Sequence, residues 1–179
     1  GNLTNLTALI LDDNLITSLP ESLTNLSSLY QLEIGNNQLV SLPEDFGDLS
    51  SLELLWLSNN QLTSLPESFF NISILEQVYL ADNQLTTLSD NIGNLANLSY
   101  LNLSGNEISS LPESICNLTA TLSFPIDIYE NNLCEDDWLD CLNQDYDEES
   151  QECHGCSDIE ACNYVSEADI DDGSCIYDG

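Results

Sequence analysis

The chain has 179 residues, with 32 Asp and Glu, no Lys or Arg and one His, a formal charge of −32 on a sequence that is still 42% hydrophobic. That apolar share supports a packed core in spite of the charge. Nothing in it can neutralise a phosphate backbone, which excludes nucleic-acid binding; the same lack argues against anionic membranes, a P-loop lysine and Schiff-base chemistry.

Gly1 stands inside a repeat unit, as expected of a processed product or a piece of something longer. The first unit reads Leu6-x-x-Leu9-x-Leu11-x-x-Asn14-x-Ile16-x-x-Leu19-Pro20. It returns as Leu29, Leu32, Ile34, Asn37, Leu39, Leu42 and Pro43, and again as Leu52, Leu55, Leu57, Asn60, Leu62, Leu65 and Pro66. The fourth unit is Leu75, Val78, Leu80, Asn83, Leu85 and Leu88; the fifth is Leu98, Leu101, Leu103, Asn106, Ile108, Leu111 and Pro112. Each step is 23 residues. A sixth unit, Ile126, Ile128, Asn131 and Leu133, arrives two residues late, after an insertion near 119–123. A Leu-x-Leu pair alternates as a short strand with one buried face. The Asn that follows places an amide inside, where it satisfies backbone groups of the turn. The Leu-Pro-Glu-Ser segments read as tight turns with at most a short helical piece on the return side. One coil cannot bury its own leucines, but stacked coils can, at about 4.8 Å per parallel strand.

Over residues 1–133 this pattern resembles the leucine-rich-repeat family. The resemblance implies an α/β solenoid of about six coils, with parallel strands on a concave face and a short helical or irregular convex side. It also implies that the variable residues around Leu-x-Leu point outward on that face. The column between the leucines holds Ile10, Glu33, Trp56, Tyr79, Asn102 and Asp127; the column before it holds Ala8, Gln31, Leu54, Gln77, Tyr100 and Pro125. Leu54, Trp56, Tyr79 and Tyr100 are therefore expected to form one exposed patch, rimmed by Asp12, Asp13, Glu33, Asp82, Asp127 and Glu130. Two uses of it stay open: binding a protein, peptide or glycan, or covering one another to support the sheet.

Asn-x-Ser/Thr sequons occur at Asn2, Asn5, Asn25, Asn71, Asn97 and Asn117. Four of them, Asn2, Asn25, Asn71 and Asn117, share one repeat position where Asn-Leu is already habitual, so consensus alone accounts for them. In a eukaryotic secretory route exposed sites of this kind would carry glycans.

After Leu133 the composition shifts. Residues 119–179 hold 18 of the 32 acidic residues and six of the seven cysteines. Residues 134–154 read as a cap, in which Asp136–Leu142 suggests a short helix with acids at its N-terminal end. In secreted members of the family such a cysteine-bearing cap closes the solenoid's open core. Cys116 and Cys141 are 25 residues apart, the interval from Asn106 to Asn131, so they are expected on adjacent coils at bonding distance. Cys134–Cys153 follows by elimination. Residues 155–179 form a small irregular module, Gly-Cys156…Ala-Cys162-Asn-Tyr…Asp-Asp-Gly-Ser-Cys175, which resembles a unit that recurs in secreted, often marine, microbial proteins. That resemblance implies a Cys156–Cys175 pair and leaves Cys162 for another segment or molecule. Asp169, Asp171 and Asp172 precede a turning Gly and suit calcium with a weak affinity of about 10⁻⁴–10⁻³ M, although an ordinary acidic turn reads the same way.

Cysteines this dense point to an oxidising, extracellular setting, and unpaired carboxylates suit a saline or calcium-bearing one. No apolar run approaches a membrane span and nothing reads as a signal peptide. Cys153-His154-Gly155-Cys156 has the form of a redox or zinc motif but lacks the strand-to-helix context or four ligands that those require. No acid–base pair or triad stands out, so no enzymatic activity and no organic cofactor is expected. The expected function is an extracellular structural or adhesive unit of a surface assembly or filament, self-associating or bound to other extracellular proteins. The alternatives are a recognition ectodomain using the concave patch and an acidic calcium-binding protein.

Overall fold

The computed structural model describes residues 3–118, 122, 126–133, 139–142, 154–155 and 170–171. Five three-residue strands, β1 (Ala8–Ile10), β2 (Gln31–Glu33), β3 (Leu54–Trp56), β4 (Gln77–Tyr79) and β5 (Tyr100–Asn102), form one parallel sheet in chain order. The register is shifted by one repeat at every step: Leu9 opposes Leu32, which opposes Leu55, Val78 and Leu101 in turn. An isolated bridge from Asn102 to Asp127 continues the stack into the sixth coil. A separate two-stranded parallel pair joins β6 (His154–Gly155) and β7 (Ile170–Asp171).

The return side of each coil is a single 3₁₀ turn: Glu21–Asn25, Phe46–Asp48, Glu67–Asn71, Asp90–Asn94 and Glu113–Leu118. Proline precedes three of these and fixes an extended backbone immediately before the turn. Between sheet and turns lies one continuous apolar core, with Leu29, Leu52, Leu75 and Leu98 wholly buried. Burial of a leucine contributes about 1.5–3 kcal/mol, and each coil supplies several. Phe46, Phe69 and Phe70 fill the return side, with Phe46 stacked on Phe69 at 6.0 Å between ring centres. Gly47 and Gly93 flank Phe70 in the repeat register, and a Cβ on Gly47 would lie 2.1 Å from the Ser68 carbonyl oxygen. Only glycine lets the neighbouring coils approach that closely.

The repeated asparagines join the coils. Asn60 donates from Nδ2 to the Ile34 oxygen of the preceding coil at 2.9 Å and to Leu57 of its own coil at 3.0 Å. Its Oδ1 accepts from the Leu39 amide at 2.9 Å. Asn37, Asn83, Asn106 and Asn131 repeat the arrangement, each reaching one coil back. All five are buried. The residue before each Asn has a left-handed backbone: Asp13, Asn36, Asn59, Asp82, Gly105 and Glu130 all have φ between 52° and 64°. Asp, Asn and Gly tolerate this conformation best, and Glu130 is the exception in the column.

Cys116 and Cys141 are bonded, with Cα atoms 5.6 Å apart. Asp140–Leu142 is a 3₁₀ turn, and Leu142 enters the core. Residues 136–138 of the expected cap helix lie outside the described residues, as do Cys134, Cys153, Cys156, Cys162 and Cys175.

Asn60→Ala removes an acceptor from one buried amide and a donor from two buried carbonyls, so it is expected to cost roughly 2–4 kcal/mol in urea unfolding. Asn14 bonds only its own coil and is exposed, so Asn14→Ala is expected to cost under about 1 kcal/mol. Equal losses would show that the inter-coil bonds are not what the asparagines contribute.

Candidate functional site

In each strand the middle residue points into the core and its neighbours face outward, half-buried in β2 to β5. The 23-residue register then sets outward residues side by side. Glu33, Trp56, Tyr79 and Asn102 form one row, continued by Asp127; Gln31, Leu54, Gln77 and Tyr100 form the other.

The aromatic residues of the expected patch face outward, half-buried, and pack against one another. Trp56 and Tyr79 stack with centroids 5.1 Å apart and planes 8° apart. Tyr79 and Tyr100 are tilted by 40° at 4.8 Å. Such pairs add about 0.5–1.5 kcal/mol beyond area burial and hold the rings in one arrangement. Leu54 is half-buried in the adjoining row.

Polar contacts hold the ends of the stack. The Tyr100 hydroxyl donates to Asp127 Oδ2 at 2.7 Å. Burial, and then this bond to Asp127, push the Tyr100 phenol up to about 12. At the other end Gln31 Nε2 donates to Glu33 Oε1. Of the expected rim, Asp12 turns inward on the backbone and accepts from the Gly35 amide at 2.6 Å, while Asp13, Asp82 and Glu130 occupy the left-handed column. The sequence reading missed Asp12 as a backbone partner. It also missed Asn102, which opens a further sequon, Asn102-Leu103-Ser104, and whose Oδ1 accepts from both the amide and hydroxyl of Ser104.

Asn5, Asn25, Asn71, Asn97 and Asn117 are exposed. Asn97 Nδ2 donates to the Ser73 carbonyl at 2.8 Å, so its amide is already engaged. Asn2 lies outside the described residues, as do Asp169 and Asp172, and Asp171 is placed only as backbone in β7. Among the described residues no cluster of three or more His, Cys, Asp or Glu is arranged to hold a metal ion. Among them too, no helix is long and apolar enough to cross a membrane.

These features define a parallel-strand solenoid with an asparagine ladder and an ordered outward row. A family model described as "Leucine rich repeat" matches residues 4–62 and 54–108, more than half of the chain. The chain belongs to the leucine-rich-repeat family. No curated protein sequence matches it. Among solved structures it is similar to a leucine-rich-repeat protein of Leptospira interrogans, at 32% identity and TM-score 0.67, over 74% of this chain and 39% of that one. It is similar to the internalin InlF of Listeria monocytogenes at 28% identity and TM-score 0.68, over 76% and 38% respectively. A third similar structure is the plant peptide hormone receptor RGFR1 in complex with RGF2, at 32% identity and TM-score 0.56, over 73% and 25%. The chain spans less than half the length of each of these structures.

The bond to Asp127 favours the protonated phenol of Tyr100 in the folded protein. Unfolded chains release this proton near 10.0 and the folded one near 12. Alkali therefore favours unfolding: the contribution is complete below pH 10 and is lost as pH rises through 12. In an ultraviolet titration Tyr100 is expected to ionise above the ordinary phenol range, and Asp127→Asn is expected to lower its midpoint. A titration identical in both proteins would refute the Tyr100–Asp127 bond.

Proposed function

We propose that the chain is an extracellular recognition module whose strand face binds another protein. The observation that carries this reading is the pre-ordered stack Trp56–Tyr79–Tyr100, which crosses from one outward row to the other and is locked by ring contacts and by the Asp127 bond on a rigid sheet. Aromatic side chains already fixed before contact lose little conformational freedom on binding, which suits them as anchors of an interface. Leucine-rich-repeat proteins in general serve as protein-binding scaffolds rather than enzymes. One similar structure is a plant peptide hormone receptor in complex with RGF2. The cysteine content and the Cys116–Cys141 bond support an oxidising exterior. An adhesive role at a cell surface is the same reading with the partner on another cell or matrix. The filament and calcium readings lean on the terminal cysteines and on Asp169–Asp172, so recognition through the sheet stands first.

Affinity capture from the surface-protein fraction of the source organism tests this, with bound proteins identified by mass spectrometry. A Trp56→Ala/Tyr79→Ala chain is expected to lose a partner that wild type and a Glu67→Gln/Glu113→Gln chain, altered on the return side, both keep. Circular dichroism verifies that each variant is folded. Equal capture by all three proteins would remove the strand face from the binding reaction.

A further inference from the structure

We propose, resting on the recognition reading above, that the partner presents a basic segment in which an arginine seats against the Trp56 indole and pairs with Glu33. Tyr79 covers one face of the indole, because the two rings are stacked and nearly parallel. The strand register puts Glu33 on the opposite side of Trp56 from Tyr79. The β2 end of the row thus offers an indole face with a carboxylate beside it. The far end is different, since Asp127 there already accepts from Tyr100.

A guanidinium meets both features at once. Its plane stacks on an indole within about 6 Å of the ring centre, and its N–H fork matches a carboxylate. Gln31 orients Glu33 without neutralising it. No residue of the chain supplies an arginine or lysine for the purpose, and its one His is His154. A charge of −32 also draws a basic segment in from solution and repels an acidic one. A sugar ring, by contrast, stacks on flat aromatic faces, and each of the three rings in this stack has a neighbouring ring against it, Tyr79 on both sides.

The test uses the whole chain and a labelled short peptide of arginines separated by glycine and serine. It is read by fluorescence anisotropy beside matched peptides carrying lysine or citrulline. Wild type is expected to bind the arginine peptide more tightly than the lysine peptide, and the uncharged citrulline peptide least. Trp56→Ala and Glu33→Gln are each expected to weaken the arginine peptide about fivefold or more, and Glu113→Gln, on the return side, to leave it unchanged. Should Trp56→Ala lose its fold, Glu33→Gln, which keeps the size and shape of the outward side chain, carries the test. Equal weakening by all three substitutions, or equal binding of arginine and lysine peptides, would mean diffuse attraction to an acidic surface and overturn the proposal. If no peptide binds while Trp56→Ala/Tyr79→Ala still loses the captured partner, the basic segment is wrong and the recognition face survives. If that capture is also unaffected, both fall.

Discussion

The structure depends on how a stacked coil turns a corner inside an apolar core. Every coil brings backbone amides and carbonyls into that corner, and each one left unpaired would cost about 1–3 kcal/mol. One asparagine per coil answers several of them at once, donating to its own coil and the one before while accepting from the latter. Those bonds also fix the offset between coils at one repeat. The sheet register follows from that offset, and the rows on the outer face follow from the register. The aromatic stack is in this sense a product of buried amides that never touch it.

The charge composition imposes a second constraint. With no lysine or arginine, carboxylates can be engaged inside the chain chiefly by neutral donors. Four described cases show this: Asp12 takes the Gly35 amide, Glu33 takes Gln31, Glu67 takes Ser89 and Asn91, and Asp127 takes Tyr100. The others on the solenoid stand largely in solvent, where salt screens them beyond about 8 Å.

Much of the fold was legible because its signal is periodic. A 23-residue step and an Asn at a constant offset suffice to place strands, core leucines and the amide ladder. The same arithmetic put Cys116 beside Cys141, since a shared interval means a shared position on adjacent coils. Neighbour relations on the outer face were legible too, but side-chain geometry was not. Trp56 next to Tyr79 follows from register, whereas the near-parallel stacking of the two rings follows from rotamers that no repeat pattern encodes. Asp12 was read as part of a solvent rim because its local sequence says only that it follows a strand. Its bond to Gly35 exists across coils. The left-handed column had a signal that went unread: Asp13, Asn36, Asn59, Asp82 and Gly105 are all of the residue types that positive φ selects.

The asparagine ladder also has a direction. From Asn37 to Asn131, each side chain reaches toward the N-terminus, so the corner of a coil is completed by the coil that follows it. A ribosome delivers the chain in that same order. Each newly emerged coil thus seals the one made just before, and growth proceeds as a zipper with a single open tooth. In the described solenoid the last such tooth is Asn131, close in sequence to the covalent tie between Cys116 and Cys141. A force applied from that side meets the crosslink before it reaches the ladder, while a force from the first coil meets only hydrogen bonds and leucines. The two ends of one regular stack are thereby mechanically unlike.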